Sequence, residues 1–344
     1  MTDIAQAGTA RTAAQIAGSG KGILAADDSV PVLNRRLETA GVAPTAGSRR
    51  AYHEMLVTTP HLSEGLSAII LGDETFRQVL SCGQPFPDAL RSQGLLPGIR
   101  VDTGLKPLAG APGETITEGL DGLRERLAEY AALGARFAAW RAVVATGDGR
   151  PSWPALCANS HALARYAALC HEAGLVPVLA PEVLMNGGHT VTQSSAATSA
   201  ALLSLFNELH NFGAAPEGMV LKLSMVVPGT DSGETLAPED IAAHTMRALD
   251  GFVPDRIGGI AFSSSGQGPA AATSNLAALL RNGGPWPLTF SFGQALAGPA
   301  LSAWRGEFAA VRLGQHALAN GVACNLAALR GAYRLADAER YALG

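Results

Sequence analysis

The sequence predicts an α/β fold, a closed (β/α)8 TIM barrel, on three observations. Eight short apolar, strand-like runs recur along the 344 residues. Longer Ala/Leu-periodic segments of helical pattern separate them, and polar residues collect at the carboxyl ends of the runs.

The first run, KGILAAD (21–27), ends on Asp27, and the second, SAIILGD (67–73), on Asp73. GIRVD (98–102) ends on Asp102 and carries Arg100. A helical stretch at 119–135 leads into FAAWRAVV (137–144), which carries Arg141. The next helix, expected over 159–174, sets Leu163, Tyr166, Ala167 and Cys170 on one face, with Asn159 or Ser160 as its cap. LVPVLAPEV (175–183) carries Glu182, and MVLKLSMV (219–226) carries Lys222. GGIAFSS (258–264) ends on Ser264, and PLTFSFG (287–293) contains Ser291. Near-continuous hydrophobic strands separated by helices read as a parallel sheet covered on its outer side. An open doubly wound sheet would usually place a glycine-rich phosphate loop after its first strand. Here that strand runs into AADDS, and neither G-x-G-x-x-G nor G-x-x-x-x-G-K-[ST] occurs. One domain over 1–344 is expected, with a helical tail from about 325 that includes Tyr341.

The composition narrows the function classes. A net charge of −4 with scattered basic residues gives no electrostatic case for nucleic acid or an anionic membrane. Cys82, Cys157, Cys170 and Cys324 lack ligand spacing and read as free thiols. The eight histidines share no metal spacing, so no metal is expected, and His210 suits a helix end. With no leader pattern and no long apolar span, a soluble cytoplasmic protein is expected.

Lys222 is the residue that asks for chemistry. An ammonium inside a strand is disfavoured by desolvation, which lowers its pKa and frees an amine that attacks carbonyls. The resulting protonated imine draws electrons from the neighbouring carbon and permits carbon–carbon cleavage or deprotonation. Glu182 and Asp27 are the expected proton handlers. A lysine that snorkels or pairs with an acid for stability is the structural alternative.

Ten colinear blocks carry a resemblance: KGILAADDS, NRRLETAG, SRRAYHEMLVTT, GIRVDTGLKPLAG, GETITEGLDGL, FAAWRAVV, LARYAALC, VPVLAPEVL, VLKLSMVVPG and LTFSFGQAL. From about residue 12 to about 325 the chain resembles class I fructose-1,6-bisphosphate aldolase of the animal and plant type. The resemblance implies a metal-independent lyase with no cofactor beyond a covalent Schiff base on Lys222. A sugar-phosphate or other small carbonyl partner and a homotetramer are implied as well. It assigns Lys222 as the Schiff-base lysine, Asp27 to hydroxyl contact and bond cleavage, and Glu182 to the second glutamate of an E-P-E motif. Arg141, Arg100, Ser264, Ser265, Gly266, Ser29, Arg36 and Gly293 are placed around the substrate, with Ser264–Gly266 as a phosphate cradle.

The chain also departs from that pattern. Ala180 stands where the resemblance expects an acid–base glutamate, and Ala139 where it expects a lysine. Gln294 replaces a phosphate-clamping arginine, Val32 a serine, and Ser265 a loop glycine. Losing an arginine–phosphate pair costs about 2–5 kcal/mol, and losing a general acid or base about 100- to 10,000-fold in rate. The expectation is therefore a Schiff-base lyase whose substrate carries fewer phosphates. Ordinary fructose-bisphosphate cleavage and a non-catalytic binding protein are the rival readings. Asp73, where the family commonly has histidine, has no account at this level.

Overall fold

The computed structural model describes residues 3–147 and 149–334. Eight parallel strands close a barrel: β1 (Gly22–Ala26), β2 (Leu66–Leu71), β3 (Leu96–Arg100), β6 (Phe137–Val144), β7 (Val176–Val183), β8 (Val220–Ser224), β9 (Ile260–Ser263) and β10 (Leu288–Phe292), which returns to pair with β1. They are the eight runs expected from the sequence. A hairpin that the sequence did not reveal, β4 (Gly104–Pro107) with β5 (Thr115–Glu118), lies outside the barrel between β3 and β6.

Helix α1 (Asp3–Ala17) precedes β1. Helices α2 (Val30–Thr39), α3 (Ala46–Val57) and α4 (Leu62–Gly65) separate β1 from β2, and α5 (Asp73–Phe76) and α6 (Phe86–Ser92) separate β2 from β3. After the hairpin comes α7 (Leu123–Ala132). Then α8 (Trp153–Glu172), α9 (Val191–Asn211), α10 (Pro238–Leu249) and α11 (Pro269–Asn282) follow β6, β7, β8 and β9 in turn. Helices α12 (Gln294–Trp304) and α13 (Val311–Leu329) complete the described chain.

Alternation along the strands builds two cores. Leu24, Leu179, Leu221, Leu223 and Phe262 are buried with the surrounding helices. Ile23, Ala68, Phe137, Val176, Val178, Val220 and Ala261 fill the barrel, where Ala13, Ile16 and Ala17 of α1 join them. Gly98 of β3 is small of necessity. A Cβ there would meet the Phe137 ring at 2.1 Å.

Several local expectations are corrected. Helix α8 begins at Trp153, not near 159, because Ser152 caps it (Ala155 N donates to Ser152 Oγ at 3.3 Å) and a proline occupies its first turn. Asn159 therefore lies inside the helix and grips the hairpin, accepting from Thr117 N at 3.3 Å and donating to Thr115 O at 2.9 Å. Asp73 starts α5 and accepts from Arg77 Nε and Tyr130 Oη, both at 2.6 Å, so it fastens outer helices. The expected helical tail from about 325 is described only as far as residue 334. Helix α13 runs through that point and stops at Leu329, and residues 330–334 are non-helical with Gly331 at φ 68°. Tyr341 lies outside the described residues. The four cysteines are free, and no helix among the described residues is long and apolar enough to cross a membrane.

Candidate active site

Strand parity decides which side chains enter the barrel. Val220 packs inside, so Lys222, two residues further along β8, projects the same way nearer the carboxyl end. The same counting places Arg141 beyond Phe137 and Ala139, Glu182 beyond Val178 and Ala180, and Arg100 beyond Gly98. Register then sets the heights. Lys222 pairs with Ala261, and one step past the Leu179–Leu221 pair brings Ala180 level with Lys222. Ala180 in turn pairs with Arg141, and Ala139 lies between Arg100 and Val178. Methyl groups thus flank Lys222 on both neighbouring strands. The lysine is half-buried, less sealed from water than the sequence suggests.

Asp27 and Asp28 follow directly on β1, where the chain turns into α2. Arg100 Nη1 donates to the Asp27 carbonyl at 2.6 Å, tying the end of β3 to that of β1 across β2. Asp28 forms an ion pair with Arg36 of α2. Burial nevertheless pushes the Asp28 carboxyl above its ordinary range; Arg36 opposes this, Asp27 adds to it, and Arg100 and Lys222 oppose it more weakly. Asp102 is pushed up in the same way by burial, against the pull of Arg100, whose Nε lies 3.9 Å from Asp102 Oδ2. Asp28 was not among the sequence candidates, although it stands in AADDS beside one of them. A doubled acid at a barrel strand end was the available signal.

Arg141 donates from Nε to Glu182, so Glu182 is committed to a guanidinium. The backbone of Arg141 is held on both sides: its N donates to Asp102 Oδ2 at 3.4 Å, and its O accepts from Thr117 Oγ1 at 2.7 Å. The unforeseen hairpin thus supports a mouth residue, through a threonine that Asn159 pins.

Ser29 is the N-cap residue of α2 but makes no capping bond with its side chain. Arg36 Nη2 donates to Gln294 Oε1 at 3.2 Å. Both residues, with Val32 and Tyr52, line a cavity of about 360 Å³ between α2 and α12. Gly293 precedes α12, where a Cβ would press within 3.0 Å of Ala25 O. After β9, Ser264 is buried, and Ser265 and Gly266 both adopt positive φ, 43° and 84°. The left-handed turn is suited to the glycine that the resemblance expects at 265. Among the described residues no cluster of three or more His, Cys, Asp or Glu side chains is arranged to hold a metal ion.

A family-wide sequence profile described as fructose-bisphosphate aldolase class-I matches residues 9–342. The chain belongs to the class I fructose-bisphosphate aldolase family. It is 48% identical over 305 residues to the probable fructose-bisphosphate aldolase class 1 of Xylella fastidiosa (strain Temecula1), covering 87% of this chain and 91% of that one. It is 45% identical over 324 residues to the cytosolic fructose-bisphosphate aldolase 6 of Arabidopsis thaliana, covering 94% and 90%. Fructose-bisphosphate aldolase from Plasmodium falciparum, solved in complex with TRAP and a small molecule inhibitor, superposes with a TM-score of 0.95 over 97% of each chain at 34% identity. As a class I aldolase family member the protein is a lyase, and the non-catalytic reading falls away.

Proposed function

We propose that the protein cleaves fructose 1,6-bisphosphate reversibly to dihydroxyacetone phosphate and glyceraldehyde 3-phosphate, through a Schiff base on Lys222. The observation that carries this is Lys222 projecting into the barrel mouth, within the electrostatic reach of the acidic strand end Asp27–Asp28. The relatives at 45–48% identity, named fructose-bisphosphate aldolases, favour this substrate over a different one.

The Lys222 amine adds to the ketone, and loss of water gives a protonated imine. Asp27 takes the proton of the substrate hydroxyl as the carbon–carbon bond breaks and its electron pair flows into the imine, leaving an enamine. The aldehyde departs, the enamine is protonated on carbon, and water releases the ketone. With alanine at 180, Glu182 acting through a water handles the protons of imine formation, and its Arg141 partner keeps it oriented. Arg36, Arg100, Ser29, Gly293 and the Ser264–Gly266 turn hold the substrate's ends. We place this activity in the cytosol, as a homotetramer with no resident metal. The test is borohydride reduction in the presence of fructose 1,6-bisphosphate, followed by peptide mass spectrometry. An adduct at Lys222, absent from Lys222→Met along with turnover, is the expected result. Full turnover in Lys222→Met overturns the mechanism.

A second reading, a ketose with fewer phosphates, is favoured by Gln294. It stands where an arginine was expected and already accepts a hydrogen bond from Arg36. Comparing turnover of fructose 1,6-bisphosphate with that of singly phosphorylated and unphosphorylated ketoses separates the two.

A further inference from the structure

Arg141 sits where strand β6 has run past its neighbour. In a parallel ladder the N–H and C=O of one residue point to the same side, and those of the next residue to the other. Ala139 O faces β3, accepting from Val101 N at 3.0 Å, whereas Val144 O faces β7, accepting from Leu184 N at 3.1 Å. Arg141, in step with Ala139, therefore presents its backbone to the β3 side. Strand β3, however, ends at Arg100, level with Ala139. The ladder stops there, and two side chains take its place. Asp102 Oδ2 accepts from Arg141 N at 3.4 Å, and Thr117 Oγ1 donates to Arg141 O at 2.7 Å.

The chain that leaves β3 supplies the second of these. It folds into the β4–β5 hairpin and returns Thr117 beside β6, paired with Leu105. Thr117 is buried, and its hydroxyl must be the donor because a carbonyl only accepts. The hairpin is in turn bolted to α8. Asn159 accepts from Thr117 N and donates to Thr115 O, and the buried Glu114 accepts from Ser152 N at 2.9 Å. A hydroxyl held in this way fixes the height of Arg141 in the mouth, and with it the guanidinium that engages Glu182.

We infer that Thr117 is a positioning residue for the reaction, acting through the Arg141 backbone on the Arg141–Glu182 pair rather than on the substrate. The hairpin is thereby part of the apparatus that sets the proton-handling carboxylate. The inference rests on the role proposed above for Glu182.

Thr117→Val keeps the shape and removes the donor, whereas Thr117→Ser keeps the donor. A misplacement of about 1 Å costs up to about 100-fold in rate. In Thr117→Val, kcat on fructose 1,6-bisphosphate should fall about 10- to 100-fold while KM moves less than about threefold. Thr117→Ser should return kcat to within about threefold of wild type. A general structural defect would lower kcat by the same factor whatever stands at 182. Positioning predicts coupling instead: in a Glu182→Gln background, Thr117→Val should lower kcat by less than about threefold. Rates are taken per active site, counted by the end-point of borohydride labelling at Lys222, so a misfolded fraction does not imitate the effect. If the valine variant does not fold, Thr117→Ala enters the same comparison. Unchanged kcat in Thr117→Val, no recovery in Thr117→Ser, or an equal loss in both backgrounds overturns the inference. The two failures are distinguishable. Wild type that is not labelled at Lys222 defeats the Schiff-base reading, whereas labelled wild type with any of those three results removes only the role of Thr117.

Discussion

His53 provides a stability prediction whose size follows from its surroundings. It sits on α3, 4% exposed, behind the end of β1 that carries Asp27. Its Nδ1 lies 3.0 Å from the Arg49 carbonyl and 3.0 Å from Thr75 Oγ1. Burial drives its pKa from 6.5 down to about 4, although the carbonyls of Arg49 and Ala26 and the charges of Glu74 and Asp27 all favour the protonated ring. A group whose folded pKa is depressed gives stability that is present above its unfolded pKa and is lost as pH falls towards the folded one. Here that window runs from 6.5 down to about 4. At 1.36 kcal/mol per pH unit the loss is about 3 kcal/mol. Urea unfolding of wild type and His53→Gln at half-unit steps from pH 7.5 to about 4 reads it by linear extrapolation. The difference in unfolding free energy between the two proteins should shrink by about 3 kcal/mol across the window. Parallel curves would show that the imidazole is not held neutral by burial, and the packing argument at this strand end would fail.

Other perturbations have equally definite signs. Gly98→Ala drives a methyl into the Phe137 ring and should cost roughly 1–3 kcal/mol, read as a lower melting temperature. The raised carboxyl of Asp28 stabilises the fold at low pH, and that contribution is lost as pH rises through its folded pKa. The stability of wild type relative to Asp28→Asn should therefore fall as pH rises through the carboxylate range above 3.8. Thr190→Ala removes the capping box of α9, in which Gln193 N donates to Thr190 Oγ1 at 3.2 Å and Thr190 N donates to Gln193 Oε1 at 2.8 Å. Chemical unfolding should register a loss of about 0.5–2 kcal/mol.

Much of this architecture was legible because barrel strands are long apolar runs in a fixed alternation with helices. Lys222 was conspicuous because a cation within such a run breaks the pattern. Less was legible where a role depends on partners distant in sequence. Asn159 looked like a cap because its helix pattern is apolar on both sides of it. Only the fold shows that it reaches across 42 residues to Thr117 and so steadies Arg141. The hairpin strands are four residues each, too short for their alternation to be seen. Asp28 was masked by Asp27, and its burial beside Arg36 is a tertiary fact.

The two alanines near Lys222 are best understood together. By resemblance Ala139 replaces a lysine and Ala180 a glutamate, so the pair removes one charge of each sign. Ala139 is paired with Val178 and Arg141 with Ala180, which makes the two alanines diagonal neighbours on adjacent strands. Long side chains reach across such a diagonal. Ala180→Glu alone adds an anion beside Glu182, whose cation Arg141 is already engaged. Ala139→Lys alone sets a second cation beside Arg100, and Ala180→Glu alone engages Lys222, which is level with it, whereas both together supply each other's counter-ion. Ala139→Lys and Ala180→Glu should each destabilise the fold, and the double variant should recover at least about 1 kcal/mol of their summed cost, a coupling measured by a double-mutant cycle. Its kcat on fructose 1,6-bisphosphate should exceed that of wild type by about 100-fold, the lower range for a regained general acid–base. Strict additivity in stability, with no gain in turnover, would mean that the two losses arose independently and that the mouth was never built around that ion pair.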